Sequence, residues 1–154
     1  MYMNRKGIQF GYKDTFSLDA TLSPIILSAL KKFQAVTQSS DKGGIPGKLL
    51  LDLFPYQHYD FTEEQNIIAI AKWDEIVDTM IYAFDSKNEP DISKYDFDFT
   101  REIGEPDEYG GRKVDLKVTN EEEYKRYKKD SKEHADKVEE GHKLFGEYFA
   151  CLWW

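Results

Sequence analysis

The sequence predicts a mainly α fold with a small β-hairpin: a compact three-helix core, with an acidic insertion between the second and last helices. Three observations carry that prediction. Apolar residues recur at helical spacing in three long segments. Two of the segments follow residues of the kind that cap a helix start. Between the second and third segments, two short runs alternate apolar with polar residues around a glycine-rich turn, the pattern of a hairpin. The 154 residues are enough for one domain with its own core, and residues 85–120 form the expected insertion.

The elements follow in order. Ile8 to Tyr12 alternates and reads as a short strand or an extended arm. Lys13 to Thr21 is rich in hydroxyls and carboxylates that bond their own backbone. Leu22, Ile25, Ile26, Ala29, Leu30 and Phe33 then keep a helical period. Pro24 limits where that helix starts: with Ser23 as N-cap it falls at the first helical position, where its missing N–H is harmless, and a start at Thr21 is also tolerable. That helix is expected to run to about Val36 or Thr37; Gln38 to Gly47 reads as a loop, and Lys48 to Tyr59 fits a helical turn or a strand equally. Thr62-Glu63-Glu64-Gln65 is a capping box that opens the second helix, with Ile67, Ile70, Trp73, Val77, Met80, Ile81 and Phe84 as its apolar stripe. Tyr95, Phe97 and Phe99 alternate with polar residues, as do Val114, Leu116 and Val118 beyond the turn at Gly104 to Gly111. Asn120 to Glu123 opens the last helix, whose inner side is read as Tyr124, Tyr127, Ser131, Ala135, Val138, His142, Phe145, Phe149 and Leu152.

Charge is unevenly distributed. The net charge is −8, yet residues 61–111 carry 14 acids against 4 bases, while the flanking thirds are near neutrality. Duplex nucleic acid needs several cations on one face, so it is not an expected partner. No apolar run approaches the roughly 20 residues of a membrane span. The single cysteine, Cys151, excludes a disulfide scaffold, and nothing after Arg5 and Lys6 resembles a secretory leader, so a cytoplasmic location is expected.

The usual catalytic patterns do not emerge. Glu139 and His142 share one helical face, but a di-metal carboxylate bundle needs a second such pair and further glutamates. Cys151 lies among apolar residues that favour an inert thiol. Gly43 to Lys48 lacks the hydroxyl residue that closes a phosphate loop, and its Pro46 removes an N–H. Asp96 and Asp98 face one way on the expected strand, a spacing better suited to a solvated face than to a calcium loop. No enzyme activity, metal or cofactor is therefore expected.

Two binding sites are. The first is Tyr12, Lys13, Asp14, Ser17 and Asp19, just before an electropositive helix start, together with Lys31 and Lys32; it would take a small anionic or nucleotide-type ligand. The alternative is a protein-binding surface on the insertion, with Tyr95, Phe97, Phe99 and Tyr109 as anchors and Asp96 and Asp98 among the acids that steer a basic partner. Leu152-Trp153-Trp154 and the long last helix also raise the prospect of a homo-oligomer.

Several blocks share a wider resemblance. They are Gly11-Tyr12-x-Asp14-x-Phe16-Ser17-Leu18-Asp19-x-Thr21, Gly44-x-Pro46, Trp73-Asp74-x-Ile76-x-Asp78-x-Met80-Ile81-Tyr82-Ala83-Phe84, and Gly141-x-x-Leu144-Phe145-Gly146-x-Tyr148-Phe149-x-x-Leu152-Trp153. Together the chain resembles a group of small, uncharacterised proteins of tailed bacteriophages, over about half its length; residues 85–120 depart from the pattern. The resemblance implies an accessory binding protein acting in the bacterial host cell and carries no catalytic residue. On that footing, sequestration of a nucleotide-type host defence signal is the first expectation, and inhibition of a basic host factor through residues 85–111 the second.

Overall fold

The computed structural model describes residues 2–4, 7–39, 44–55, 60–106 and 108–152, with side chains from Phe10 onward. It is mainly helical. Two three-residue strands, β1 (Tyr2–Asn4) and β2 (Gly7–Gln9), pair antiparallel at the start. Then come α1 (Tyr12–Phe16), α2 (Leu18–Ser39), α3 (Gly47–Leu53) and α4 (Glu63–Phe84). After two short 3-10 turns, β3 (Phe99–Pro106) and β4 (Arg112–Val118) form an antiparallel hairpin, and α5 (Glu121–Tyr148) ends in a 3-10 turn at Phe149–Cys151. No helix among the described residues is long and apolar enough to cross a membrane.

The chain divides into two units. The first holds residues 1–87 and 137–154, the second residues 88–136. Within the first, Leu30 of α2, Leu49 of α3, Trp73, Ile76, Val77 and Met80 of α4 and Tyr148 of α5 form the core. Trp73 is its hub: the Phe33 ring meets it edge-on at 6.4 Å and the Tyr148 ring at 5.4 Å. Lys48 ties α3 to α5, reaching Asp52 at 2.6 Å and Glu147 at 2.7 Å above the Tyr148 ring. Those two carboxylates raise its pKa, Asp52 most.

Four local expectations are corrected. α2 starts at Leu18, so Pro24 lies inside the helix and not at its first position. The earlier start is anchored by the Thr21 N–H on the Ser17 carbonyl and the Thr21 hydroxyl on the Asp14 carbonyl. The carbonyl that Pro24 deprives of a donor belongs to Ala20, which is exposed and open to water.

On α4 the capping box forms as predicted, Thr62 and Gln65 bonding each other's backbone N–H. However, Ile67 is 61% and Ile70 51% exposed, and the core takes Ala69 and Ile76 in their place. Trp73, Val77 and Met80 of the predicted stripe are buried, with Ile81 and Phe84 packed against the core.

On α5, His142 and Phe149 face outward while Gly141 and Tyr148 are buried. Lastly, the strand expected over Tyr95 to Phe99 begins only at Phe99; Ile92–Lys94 is a 3-10 turn capped by Asp91.

Candidate functional site

The residues considered for catalysis are engaged elsewhere. Glu139 pairs with Lys143 at 2.8 Å, which lowers its pKa, and the His142 ring rests 5.0 Å from Phe84. Cys151 is half-buried against the core, and Lys48 is held by its two carboxylates. His58 and Gly43 lie outside the described residues. No group of three or more His, Cys, Asp or Glu among the described residues could hold a metal ion.

The ligand-binding candidates fall into two separate places. Tyr12, Lys13 and Asp14 sit on α1, whose N-terminus is closed by the Gly11 N–H donating to the Asp14 carboxylate at 2.7 Å. Ser17 ends α1, and its carbonyl receives the Thr21 N–H. Asp19 lies in the first turn of α2, where its carbonyl accepts from the Ser23 hydroxyl. Lys31 is about 18 Å further along the same helix at 1.5 Å per residue. It is bonded to Asp85 at 2.9 Å, and Lys32 beside it is exposed. The Tyr12 and Phe16 rings stand almost fully in solvent. One ligand of nucleotide size could not touch both groups.

The second unit is more informative. Tyr95, Phe97 and Phe99 pack with Tyr124 and Tyr127 of α5: Tyr95 to Tyr127 is 5.2 Å, Phe97 to Tyr124 5.2 Å and Phe99 to Tyr124 5.6 Å between ring centres. Most pairs meet edge-to-face, the arrangement aromatic quadrupoles favour. The Tyr95 hydroxyl donates to the Asp130 carboxylate at 2.7 Å, and that bond raises the tyrosine pKa. Asp98 latches the base of the hairpin: its N–H donates to the Thr119 hydroxyl, and its carboxylate and carbonyl accept from Phe99 and Thr119. Thus Tyr95 and Phe97 are scaffold, Phe99 packs on Tyr124 yet stays exposed, and Asp98 is a fastening. Asp96 and Tyr109 are presented outward, Tyr109 at 89% exposure near the hairpin tip.

What the sequence reading missed is the outer face of the hairpin. The register pairs Phe99 with Val118, Arg101 with Leu116 and Ile103 with Val114, and paired residues point to one face. Phe99 at the base rests on Tyr124. Beyond it, Ile103 and Leu116 are each 62% exposed and Val114 51%. The opposite face is polar and self-paired, with Lys117 on Glu102 at 2.7 Å and Lys113 on Asp115 at 3.1 Å. The sheet has only two strands, so each has an outer edge unpaired by any strand among the described residues. Alternation at Val114, Leu116 and Val118 was visible in the sequence, but alternation does not say whether the apolar side is covered.

Comparison with protein-family models, with curated proteins and with solved structures finds no match for this chain.

Proposed function

We propose that this chain is a non-catalytic binding protein that grips another protein with its β3–β4 hairpin. The observation that carries this reading is the apolar patch of Ile103, Val114 and Leu116, which lies uncovered on a ribbon whose polar face is already self-paired. An exposed apolar face with a polar surround is what a protein interface presents before it closes. Unpaired strand edges beside it suit main-chain pairing with an extended partner segment.

Residues 85–111 hold 9 acids against 3 bases, so the partner surface is basic, and attraction speeds encounter while the apolar residues hold the complex. Tyr109 near the tip is the aromatic anchor. On the resemblance to phage proteins, the partner is a bacterial factor and binding blocks it. The nucleotide reading loses ground because its residues divide between two places on α1 and α2.

The test is site-specific photocrosslinking from position 109 in the native cell, comparing the chain with Ile103→Asp/Val114→Asp and with Lys32→Glu, which is remote from the hairpin in sequence. One basic protein should be crosslinked by the wild type and by Lys32→Glu, lost in the hairpin variant, and weakened by salt. Crosslinks indifferent to the hairpin variant, with its helical circular dichroism intact, would remove the proposal.

A further inference from the structure

We infer that a groove between β4 and the opening turns of α5 holds the phosphate chain of an oligophosphate or a nucleoside di- or triphosphate. The groove has a volume of about 480 Å³, within the range of small-molecule sites. Three of its lining residues are lysines, Lys117, Lys125 and Lys128, and its floor is Leu116, Val118 and Tyr124. Glu121 is the one carboxylate in the lining.

The charge of the whole chain hides this place. Residues 116–128, which span the groove, carry four cations, Lys117, Lys125, Arg126 and Lys128, against three acids, Glu121, Glu122 and Glu123. Lys125, Lys128 and Lys132 recur at the spacing that aligns side chains on one face of a helix.

Two of the groove amines are lightly held and the third has no carboxylate. Lys117 meets Glu102 at 2.7 Å and Lys125 meets Glu122 at 3.0 Å, through side chains more than half exposed. Exposed pairs of this kind contribute little and exchange readily. Lys128 forms no ion pair among the described residues; its amine stands 4.7 Å above the Tyr124 ring. A group with three or four negative charges competes with the Glu122 carboxylate for Lys125 and meets Lys128 without an ion-paired carboxylate among the described residues, each phosphate oxygen accepting a charge-assisted bond. The apolar floor then offers a nucleoside a flat body to rest against. The groove adjoins the apolar patch, sharing Leu116 with it, while Ile103 and Val114 do not line it.

The experiment is isothermal titration of the full chain at low salt, separately with tripolyphosphate and with ATP, in parallel with amide chemical-shift mapping. Saturable binding is expected, with shifts centred on Lys117, Val118, Tyr124 and Lys128. Affinity should fall at least about tenfold in Lys125→Ala/Lys128→Ala, as expected for removing charge-assisted contacts. It should be unchanged in Lys137→Ala/Lys143→Ala. Tighter binding of ATP than of tripolyphosphate assigns the nucleoside to the Leu116 and Val118 floor; equal binding assigns the phosphate chain alone. If neither anion saturates, or if Lys125→Ala/Lys128→Ala binds as the wild type does, the inference is overturned.

Discussion

Gly141 of α5 lies directly against the Thr79 carbonyl of α4: a Cβ built on Gly141 would stand 2.5 Å from that oxygen and 2.5 Å from the Ala83 Cβ. The crossing of these two helices is therefore as close as backbone contact allows, and only glycine fits it. Gly146, five residues on, has nothing within 4 Å of the same position. The two glycines make opposite predictions from one substitution. Gly146→Ala gains helix propensity, about 0.5–1 kcal/mol. Gly141→Ala makes the same local gain but forces the helices apart, at about 1–3 kcal/mol for overpacking against atoms that cannot rotate away. Urea denaturation should show Gly146→Ala raised and Gly141→Ala lowered. Two variants shifted the same way would mean that the crossing is looser than described.

Trp73 supplies a second test. Its side chain is enclosed by Phe33 and Tyr148, and its indole Nε1–H is buried with no acceptor among the described groups. An unsatisfied buried donor carries a desolvation cost, so the ring stays for its bulk and not for its polarity. Trp73→Ala should lose about 3–5 kcal/mol, the range for emptying an aromatic site. Trp73→Phe should lose distinctly less, because it removes the unpaired donor as well as volume. Equal losses in the two variants would indicate that the indole N–H is bonded in solution.

These two residues also mark how far the sequence could be read. Helical spacing identified α2, α4 and α5, and Thr62 with Gln65 located the start of α4, because capping and periodicity are local properties. Trp73, Val77 and Met80 were assigned to the core from period alone. Nothing local marks Gly141, since its importance lies in Thr79, 62 positions earlier, and in Ala83. Ile67 and Ile70 were placed in the core because periodicity identifies an apolar side without saying what covers it. The same holds at the candidate site: Tyr95 and Phe97 have the composition of anchors yet pack on Tyr124 and Tyr127, while Phe99 meets Tyr124 and stays 44% exposed. Ile103, Val114 and Leu116 stay open and were not chosen.

The link between α2 and the end of α4 should titrate. Asp85 is held below its ordinary pKa of about 3.8, first by the Lys31 ammonium and then by the Lys87 backbone N–H. A carboxyl whose pKa is lower folded than unfolded stabilises the fold above the unfolded value, and that contribution disappears as pH falls through the folded value. At neutral pH the wild type should therefore be more stable than Asp85→Asn, and the gap should begin to narrow below about pH 4 and close as pH falls through the lowered folded value. Because the Lys31 side chain is half exposed, added salt should narrow the gap as well. Thermal melts from pH 7 to pH 2 would decide it; a gap that persists in acid would show that Asn fails by shape and not by charge.

At the other end of the pH scale, Tyr95 and Asp130 should act with the opposite sign. The hydroxyl donates to the Asp130 carboxylate at 2.7 Å, and this bond, followed by desolvation, raises the phenol pKa above its ordinary value near 10. A group whose neutral form is favoured by folding stabilises the fold below the unfolded pKa, and the benefit is lost as pH rises through the folded one. Removing the hydroxyl also leaves Asp130 without the donor that satisfies it in a half-buried position. Tyr95→Phe should speed amide exchange across residues 95–130 at neutral pH. As pH rises above about 10 and through the raised folded value, the wild type should lose that protection and approach the variant. If Tyr95→Phe exchanges like the wild type throughout, the bond to Asp130 does not hold the aromatic cluster, and the hairpin is supported by ring packing alone.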